Sequence, residues 1–139
     1  MAAARSRERR ALGVACGAHV LHDGYTDLIW VALAIWQAEF ALSHAAVGLL
    51  RMIYTGTMAS LQIPASYVAR RLGAAPVLAL GTGLSGLCYC LAGLGDGFWA
   101  LVGALFIGGL GAATQHPIAS ALVTRTFTGA RPSSPPVSR

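Results

Sequence analysis

Two stretches of this 139-residue sequence contain no Asp, Glu, Lys or Arg and are long enough to cross a lipid bilayer as helices. One is the run of twenty residues from Pro76 to Gly95, and the other is the run of twenty-six from Phe98 to Val123. A helix needs about 20 consecutive apolar residues to cross the hydrocarbon core of a membrane. The helices of a soluble bundle would instead carry a polar stripe at the 3.6-residue period, and neither stretch has one. We therefore predict an all-α integral membrane protein.

The composition agrees with a membrane protein and gives no sign of an enzyme. Only 11% of the residues are charged and the mean hydropathy is +0.61, whereas about a quarter of the residues in a soluble domain are charged. The cysteines Cys16, Cys88 and Cys90 lie within apolar segments, and their spacing matches no zinc or redox motif. The sequence also lacks a nucleophile elbow and a phosphate-binding loop. We expect no enzymatic activity, no cofactor and no bound metal.

The apolar segments divide the chain into four predicted transmembrane helices with a tail at each end. The helices are predicted at residues 12–36, 46–69, 76–95 and 98–123, which together form a transmembrane region of residues 12–123. Residues 1–11 form a basic tail, and residues 124–139 are rich in Arg, Ser, Thr and Pro, a composition that predicts disorder. The connections are short, so that sequential helices are expected to be antiparallel.

Arginine supplies all ten basic residues and indicates the orientation of the chain. Four arginines precede the first helix, Arg70 and Arg71 lie between the second and third helices, and three follow the fourth helix. By the positive-inside rule, both termini are cytoplasmic. The same distribution argues against a nucleic-acid partner, because the net charge of +5 is spread over the helix ends without a groove-reading element beside it.

The first predicted helix carries polar groups that are costly inside a membrane. His19, Asp23 and Asp27 are four residues apart and share one helix face, which His22 borders. An ionisable residue in the bilayer costs about 2.5–3.5 kcal/mol on insertion scales. Removal from water raises the pKa of a carboxyl group and lowers that of an imidazole, which brings the two groups closer in proton affinity, as a proton relay requires. The alternative is that the aspartates only cap or pair with a neighbouring helix, for example through Arg51.

The fourth predicted helix contributes Gln115 and His116, which precede Pro117. Proline removes a backbone donor and clashes with the preceding turn, so the helix is expected to kink there. Polar residues beside a helix break are typical of transporter binding sites. The alternative is that His116 is a packing residue held by hydrogen bonds. Arg51, near the outer end of the second helix, is expected either to balance Asp27 or an anionic substrate, or to extend its stem toward the interface.

Glycines in the first and fourth helices indicate close helix packing. They are the GxxxG pair Gly13 and Gly17 in the first helix, and Gly103, Gly108, Gly109 and Gly111 in the fourth. Small residues let helix backbones approach each other where lipid provides no hydrophobic drive for association.

Three segments of the sequence resemble the major facilitator superfamily of transporters. They are residues 19–24 (HVLHDG), residues 47–52 (VGLLRM) and residues 109–117 (GLGAATQHP). Within that superfamily they look like the fosmidomycin-resistance-type bacterial exporters, which have a His-x-x-Asn-Asp-like stretch in the first helix and a His-Pro pair in the fourth. His19, His22 and Asp23 would occupy the first motif, with His22 in place of the Asn, while His116 and Pro117 would occupy the second.

The connection between the second and third helices matches the superfamily's signature only in part. That signature is an acidic residue, Arg, an apolar residue, Gly and then basic residues. Arg71 and Gly73 match it, whereas Arg70 stands at the acidic position and Ala75 at the closing basic position. The charge pairing that this loop makes in the family is therefore not implied. Leu105 stands near the place where drug/proton antiporters have a fourth-helix Arg, so proton coupling is not implied by that residue either.

The resemblance covers residues 12–128 and implies the first four helices of an N-terminal six-helix half. A complete transporter of this family has twelve helices, with the site between its two halves. The implied parent activity is proton-linked transport, as export, of a small molecule across the bacterial cytoplasmic (inner) membrane. The implied pathway is formed by Asp23, His19, His22 and Asp27, with His116 and Gln115 facing them. We expect the chain to be a fragment, a truncated product or half of a split gene, inactive without the missing C-terminal helices or a second chain.

Two other classes of protein remain open on the sequence. A small four-helix, proton-coupled multidrug exporter that works as a dimer matches the length and the helix count. A haem- or metal-binding four-helix membrane protein would use His19, His22 and His116. Axial haem ligation needs paired histidines at matching depth, and we expect His116 to lie at a different level from the other two.

Overall fold

The computed structural model describes residues 2–118 and residue 121, and within them the chain is helical, without a strand. The helices are α1 (Ala2–Glu39), α2 (His44–Leu72), α3 (Ala74–Leu94) and α4 (Gly97–Ala112). After α4, a turn at residues 113–114 is followed by helical residues 115–118. The predicted all-α class is confirmed. The predicted tail at residues 124–139 lies outside the described residues.

Two segments of the described chain are long and apolar enough to cross a membrane. They are Ala74–Leu94, which is α3, and Gly97–Ile118, which comprises α4 and the short stretch that follows it. Helix α1 carries Asp23 and Asp27 near its middle, and α2 carries Arg51 in its second turn. Because these charges lower the apolar character of both helices, the membrane crossing of α1 and α2 stays a prediction.

Helices α1 and α2 extend further at both ends than the apolar segments from which they were predicted, whereas α4 ends at Ala112, before the predicted end at residue 123. Helix α1 begins at Ala2, and α2 ends at Leu72, so that Arg70 and Arg71 lie in its last turn. Apolar length predicts where a helix is inside the membrane, but it does not predict where backbone hydrogen bonding stops. Basic side chains also favour the last turn of a helix, where they meet the negative end of the helix dipole.

The connections between helices are held by local backbone features. Gly73 alone links α2 to α3, and its φ of 96° is a conformation that residues with a Cβ rarely adopt. The glycine of the predicted loop motif therefore has a backbone role in this tight connection. At the start of α2, the Ser43 hydroxyl caps the helix by accepting a hydrogen bond from the Ala46 N–H at 3.1 Å.

Helix α4 packs between α2 and α3, and its glycines make this close approach possible. A Cβ added to Gly109 would lie 2.7 Å from the carbonyl oxygen of Tyr54 in α2. A Cβ added to Gly111 would lie 2.5 Å from the carbonyl oxygen of Gly81 and 2.7 Å from the backbone nitrogen of Ser85, both in α3. Close packing is therefore the role of these two glycines.

Of the other predicted packing glycines, Gly108 shares this role, whereas Gly103, Gly13 and Gly17 do not. Gly108 also contacts both neighbouring helices, because a Cβ there would lie 2.7 Å from Cys88 Sγ and 3.1 Å from a Tyr54 ring atom. A Cβ at Gly103, Gly13 or Gly17 would meet nothing within 4 Å. The GxxxG pair of α1 therefore faces no other part of the described chain.

Helix α1 packs on the other helices mainly through its C-terminal half. Ile29, Leu33 and Trp36 are buried in the main core together with α2, α3 and α4 side chains such as Leu50 and Leu105. One further link joins α1 to α3, where the Tyr89 hydroxyl donates a hydrogen bond to the Tyr25 carbonyl oxygen. The N-terminal half of α1 instead leaves apolar side chains exposed, among them Val14, Val20 and Leu21.

The packing of α4 predicts that an added methyl group is harmful at Gly111 and harmless at Gly103. The Gly111→Ala substitution forces two backbones apart, and such overpacking costs about 1–3 kcal/mol. The matched Gly103→Ala substitution fills open space on the same helix, where Ala is favoured over Gly by up to about 1 kcal/mol. Unfolding of the purified chain in mixed micelles with increasing SDS, followed by circular dichroism, measures both effects. A Gly111→Ala chain as stable as the unsubstituted one would contradict this packing.

Candidate functional site

Three histidine rings lie together where α1 passes the segment that follows α4. The centroid of the His116 ring is 5.1 Å from that of His22 and 5.9 Å from that of His19, and both pairs meet edge to face. Asp23 joins the group, because its Oδ2 lies 3.4 Å from Nε2 of His19. We call these four residues, His19, His22, Asp23 and His116, the histidine cluster.

The local structure around each member follows from the sequence. His19, His22 and Asp23 are three and four residues apart on one α-helix, so they project from neighbouring positions on its surface. Pro117 has no N–H to donate to the carbonyl of Ala113, four residues earlier. The helix breaks into a turn at residues 113–114, immediately before Gln115 and His116.

The convergence of the three histidines overturns the expectation that His116 lies at a different depth. His19 is seven residues beyond the predicted start of the first helix, a rise of about 10 Å, and His116 is six residues before Leu122, a rise of about 9 Å. In four antiparallel helices the start of the first and the end of the fourth lie on the same side. The two depths are therefore measured from the same surface, and they coincide.

The members of the histidine cluster differ in how far they are exposed to solvent. The His22 side chain is 2% exposed, and its Nε2 has no hydrogen-bond partner within the part of the chain that the structure describes. The side chains of His19 and Asp23 are half exposed, at 52% and 51%. Among residues 2–118 and 121, no three His, Cys, Asp or Glu side chains are grouped so that they could hold a metal ion. The geometry therefore juxtaposes one carboxylate with three imidazole rings.

The Gln115 side chain is directed toward α3 and does not face α1, contrary to the prediction. It is 1% exposed, and its Nε2 donates a hydrogen bond of 2.7 Å to the Thr82 hydroxyl of α3. A second, longer contact of 3.5 Å reaches the Leu78 carbonyl oxygen. These bonds hold the segment after α4 against α3, next to the residue that contacts His19 and His22. Thr82 was missed by sequence reasoning, although it is one of only a few hydroxyl groups in the uncharged third helix.

The other predicted site residues lie apart from the cluster. The Arg51 guanidinium stacks on the Trp30 ring of α1, 4.3 Å from its centroid, and this contact was not predicted. Asp27 is exposed and makes no ion pair or hydrogen bond within the described residues. Arg51 therefore does not pair with Asp27, and its contact with α1 is a cation–π interaction. Arg71 is exposed in the last turn of α2, and Gly73 forms the connection to α3.

A separate cleft of about 240 Å³ opens between the ends of α2 and α3 and the segment after α4. It is lined by Ser66 and Arg70 of α2, by Ala74 of α3, and by Pro117 and its neighbours. None of the four cluster residues lines it. The cleft was not predicted, because it forms only where the segment after α4 packs against the distant junction of α2 and α3.

The hydrogen bond between Gln115 and Thr82 predicts an energetic coupling between the segment after α4 and α3. Hydrogen bonds between membrane helices contribute about 0.6 kcal/mol on average and up to about 1.7 kcal/mol. In a double-mutant cycle of Gln115→Leu and Thr82→Val, we expect a coupling of about 1 kcal/mol, measured by SDS unfolding. Thr55→Val is the matched control, because the Thr55 hydroxyl bonds to Arg51 in its own helix. Additive effects for the first pair would contradict the bond.

Comparison with known proteins identifies the family to which these helices belong. The family model described as Major Facilitator Superfamily matches residues 15–134, which include the whole histidine cluster and all of α2, α3 and α4. No curated protein and no solved structure matches the sequence significantly. The members of this family are membrane transporters, and the match covers most of the chain. The chain therefore belongs to the major facilitator superfamily.

Proposed function

We propose that these helices form part of a secondary active transporter in which the histidine cluster handles the coupling protons. The observation that carries the proposal is the convergence of His19, His22 and Asp23 with His116 at the break after α4. Major facilitator transporters bind substrates and coupling ions near the membrane midplane, at the interface between repeats. A polar cluster beside an interrupted helix is the feature of this chain that best fits such a site.

The chemistry of the cluster supports proton handling. The Asp23 carboxylate and the His19 imidazole are 3.4 Å apart, so a protonated imidazole forms an ion pair with the carboxylate. Loss of that proton leaves one uncompensated negative charge in the cluster. Because charge is costly in the bilayer, this change favours one arrangement of the surrounding helices over another. The buried Nε2 of His22 has no partner among the described residues.

The exposed face of α1 supports the proposal that further helices complete the site. His19 and Asp23 are half exposed and Asp27 is exposed, although ionisable side chains within a membrane must face protein or water. We propose that additional helices, from a continuation of this chain or from a second chain, cover this face and enclose the substrate. The 139 residues alone are then inactive in transport.

The direction and location of transport rest on the sequence resemblance. Similarity of residues 19–24 and 109–117 to the fosmidomycin-resistance-type exporters favours export of a small molecule across a bacterial cytoplasmic membrane. The arginine distribution favours cytoplasmic termini. The match to the major facilitator family argues against the rival interpretation as a small dimeric four-helix exporter.

A transport assay in inside-out membrane vesicles tests the proton-handling role of Asp23. The vesicles contain the complete transporter, which is this chain together with the helices that complete it, and a pH-sensitive acridine dye reports the proton gradient. A panel of small antimicrobial compounds is added in turn, and an exported compound dissipates the gradient. We expect Asp23→Asn to reduce the response by about tenfold or more, within the usual range of coupling between two sites.

Asp96→Asn is the matched control for this assay. Asp96 is exposed at the start of α4 and makes no capping hydrogen bond with its side chain, so its loss is expected to leave the response unchanged. Vesicles that contain the 139-residue chain alone are expected to respond like empty vesicles. An Asp23→Asn transporter that still dissipates the gradient at the normal rate would refute the proton-handling role. A response from the chain alone would refute the need for further helices.

A further inference from the structure

Among the described residues, the cleft between α2, α3 and the segment after α4 combines an apolar wall with one cationic group. Ala69, Ala74, Pro117 and Ile118 supply apolar surface, and Arg70 supplies the charge. Ser66 adds a hydroxyl group to the same lining. This arrangement suits a ligand that has an anionic end and an apolar body.

The Arg70 guanidinium is available to such a ligand. It is exposed and lies over the Tyr67 ring, 5.3 Å from its centroid, and within the described residues it forms no ion pair. In the resemblance to the major facilitator family, Arg70 stands at a position where the family has an acidic residue. Arg70 and Arg71 are two adjacent cations in the last turn of α2.

The location and the size of the cleft favour a lipid headgroup over a transported substrate. Arg70 and Arg71 belong to the connection that the positive-inside rule places at the cytoplasmic surface, where anionic phospholipids attract basic residues. A volume of about 240 Å³ is below the range of about 300–1,000 Å³ that is typical of pockets for drug-sized ligands. The acidic residues Glu39 and Asp96 follow α1 and α3 at the opposite ends of the helices, so neither opposes an anion here.

We propose that this cleft binds the phosphate headgroup of an anionic phospholipid, with Arg70 as the principal contact. Basic pockets between transmembrane helices on the cytoplasmic side bind anionic headgroups in this way. The bound lipid bridges α2, α3 and the segment that carries His116, and thereby stabilises the break after α4. The proposal depends on the membrane setting of the chain, and it does not depend on the proton-handling role of the histidine cluster.

Thermal unfolding of the purified 139-residue chain in detergent, with phosphatidylglycerol added in increasing amounts, tests the proposal. We expect phosphatidylglycerol to raise the unfolding temperature in a saturable manner. Phosphatidylcholine and inorganic phosphate at equal concentrations are expected to have no effect, because the first has no net charge and the second has no apolar body. Arg70→Gln is expected to weaken the apparent affinity for phosphatidylglycerol about fivefold, as expected for the loss of one basic contact.

Arg71→Gln is the matched control. This substitution removes the same charge from the same helical turn, but Arg71 does not line the cleft. Its affinity for phosphatidylglycerol is expected to be close to that of the unsubstituted chain. A second variant, Ala69→Leu, keeps both arginines and fills the cleft, and it is expected to weaken binding as well. Equal losses in Arg70→Gln and Arg71→Gln, with none in Ala69→Leu, would show unspecific attraction to the basic turn and would overturn the proposal. Stabilisation by inorganic phosphate alone would overturn the choice of a lipid.

Discussion

The close approach of α4 to its two neighbours is the constraint on which the rest of the structure depends. In lipid, apolar side chains gain little by leaving their surroundings, so helices associate through backbone proximity and hydrogen bonds. Gly109 and Gly111 allow that proximity on two sides of α4, toward the Tyr54 carbonyl of α2 and the Gly81 carbonyl of α3. The position of α4 in turn fixes the segment that follows it, and therefore the position of His116.

The break after α4 places a polar segment beside α1. Pro117 interrupts the hydrogen-bond ladder, and Gln115 anchors the interrupted segment to Thr82 of α3. His116, between these two residues, contacts His19 and His22 of α1. Helix α1 is otherwise attached mainly through its C-terminal half, and the contact with His116 adds a point of attachment near the middle of the helix.

The charged residues of the chain have three different physical settings. Asp23 and His19 pair within the predicted membrane region, where each ionised group needs a partner or water. Arg51 rests on an aromatic ring, which allows a cation near the helix end without a carboxylate. Arg70 and Arg71 end a helix, where the helix dipole favours them. Among the residues that the structure describes, only the first setting brings an acidic side chain within ion-pair distance of a basic one, and this distinguishes the cluster from the other described ionisable groups.

The sequence by itself determined the helical class, the likeness to the transporter family and most members of the cluster. These features depend on apolar length, on helical spacing and on the position of Pro117, which are properties of local sequence. Only the tertiary structure decided that His116 meets His22, that Gln115 turns to Thr82, and that Arg51 rests on Trp30 instead of pairing with Asp27. The physical reason is that each of these contacts joins residues from different helices. Their relative rotation and depth are set by packing at glycines such as Gly111, and apolar periodicity carries no information about that packing.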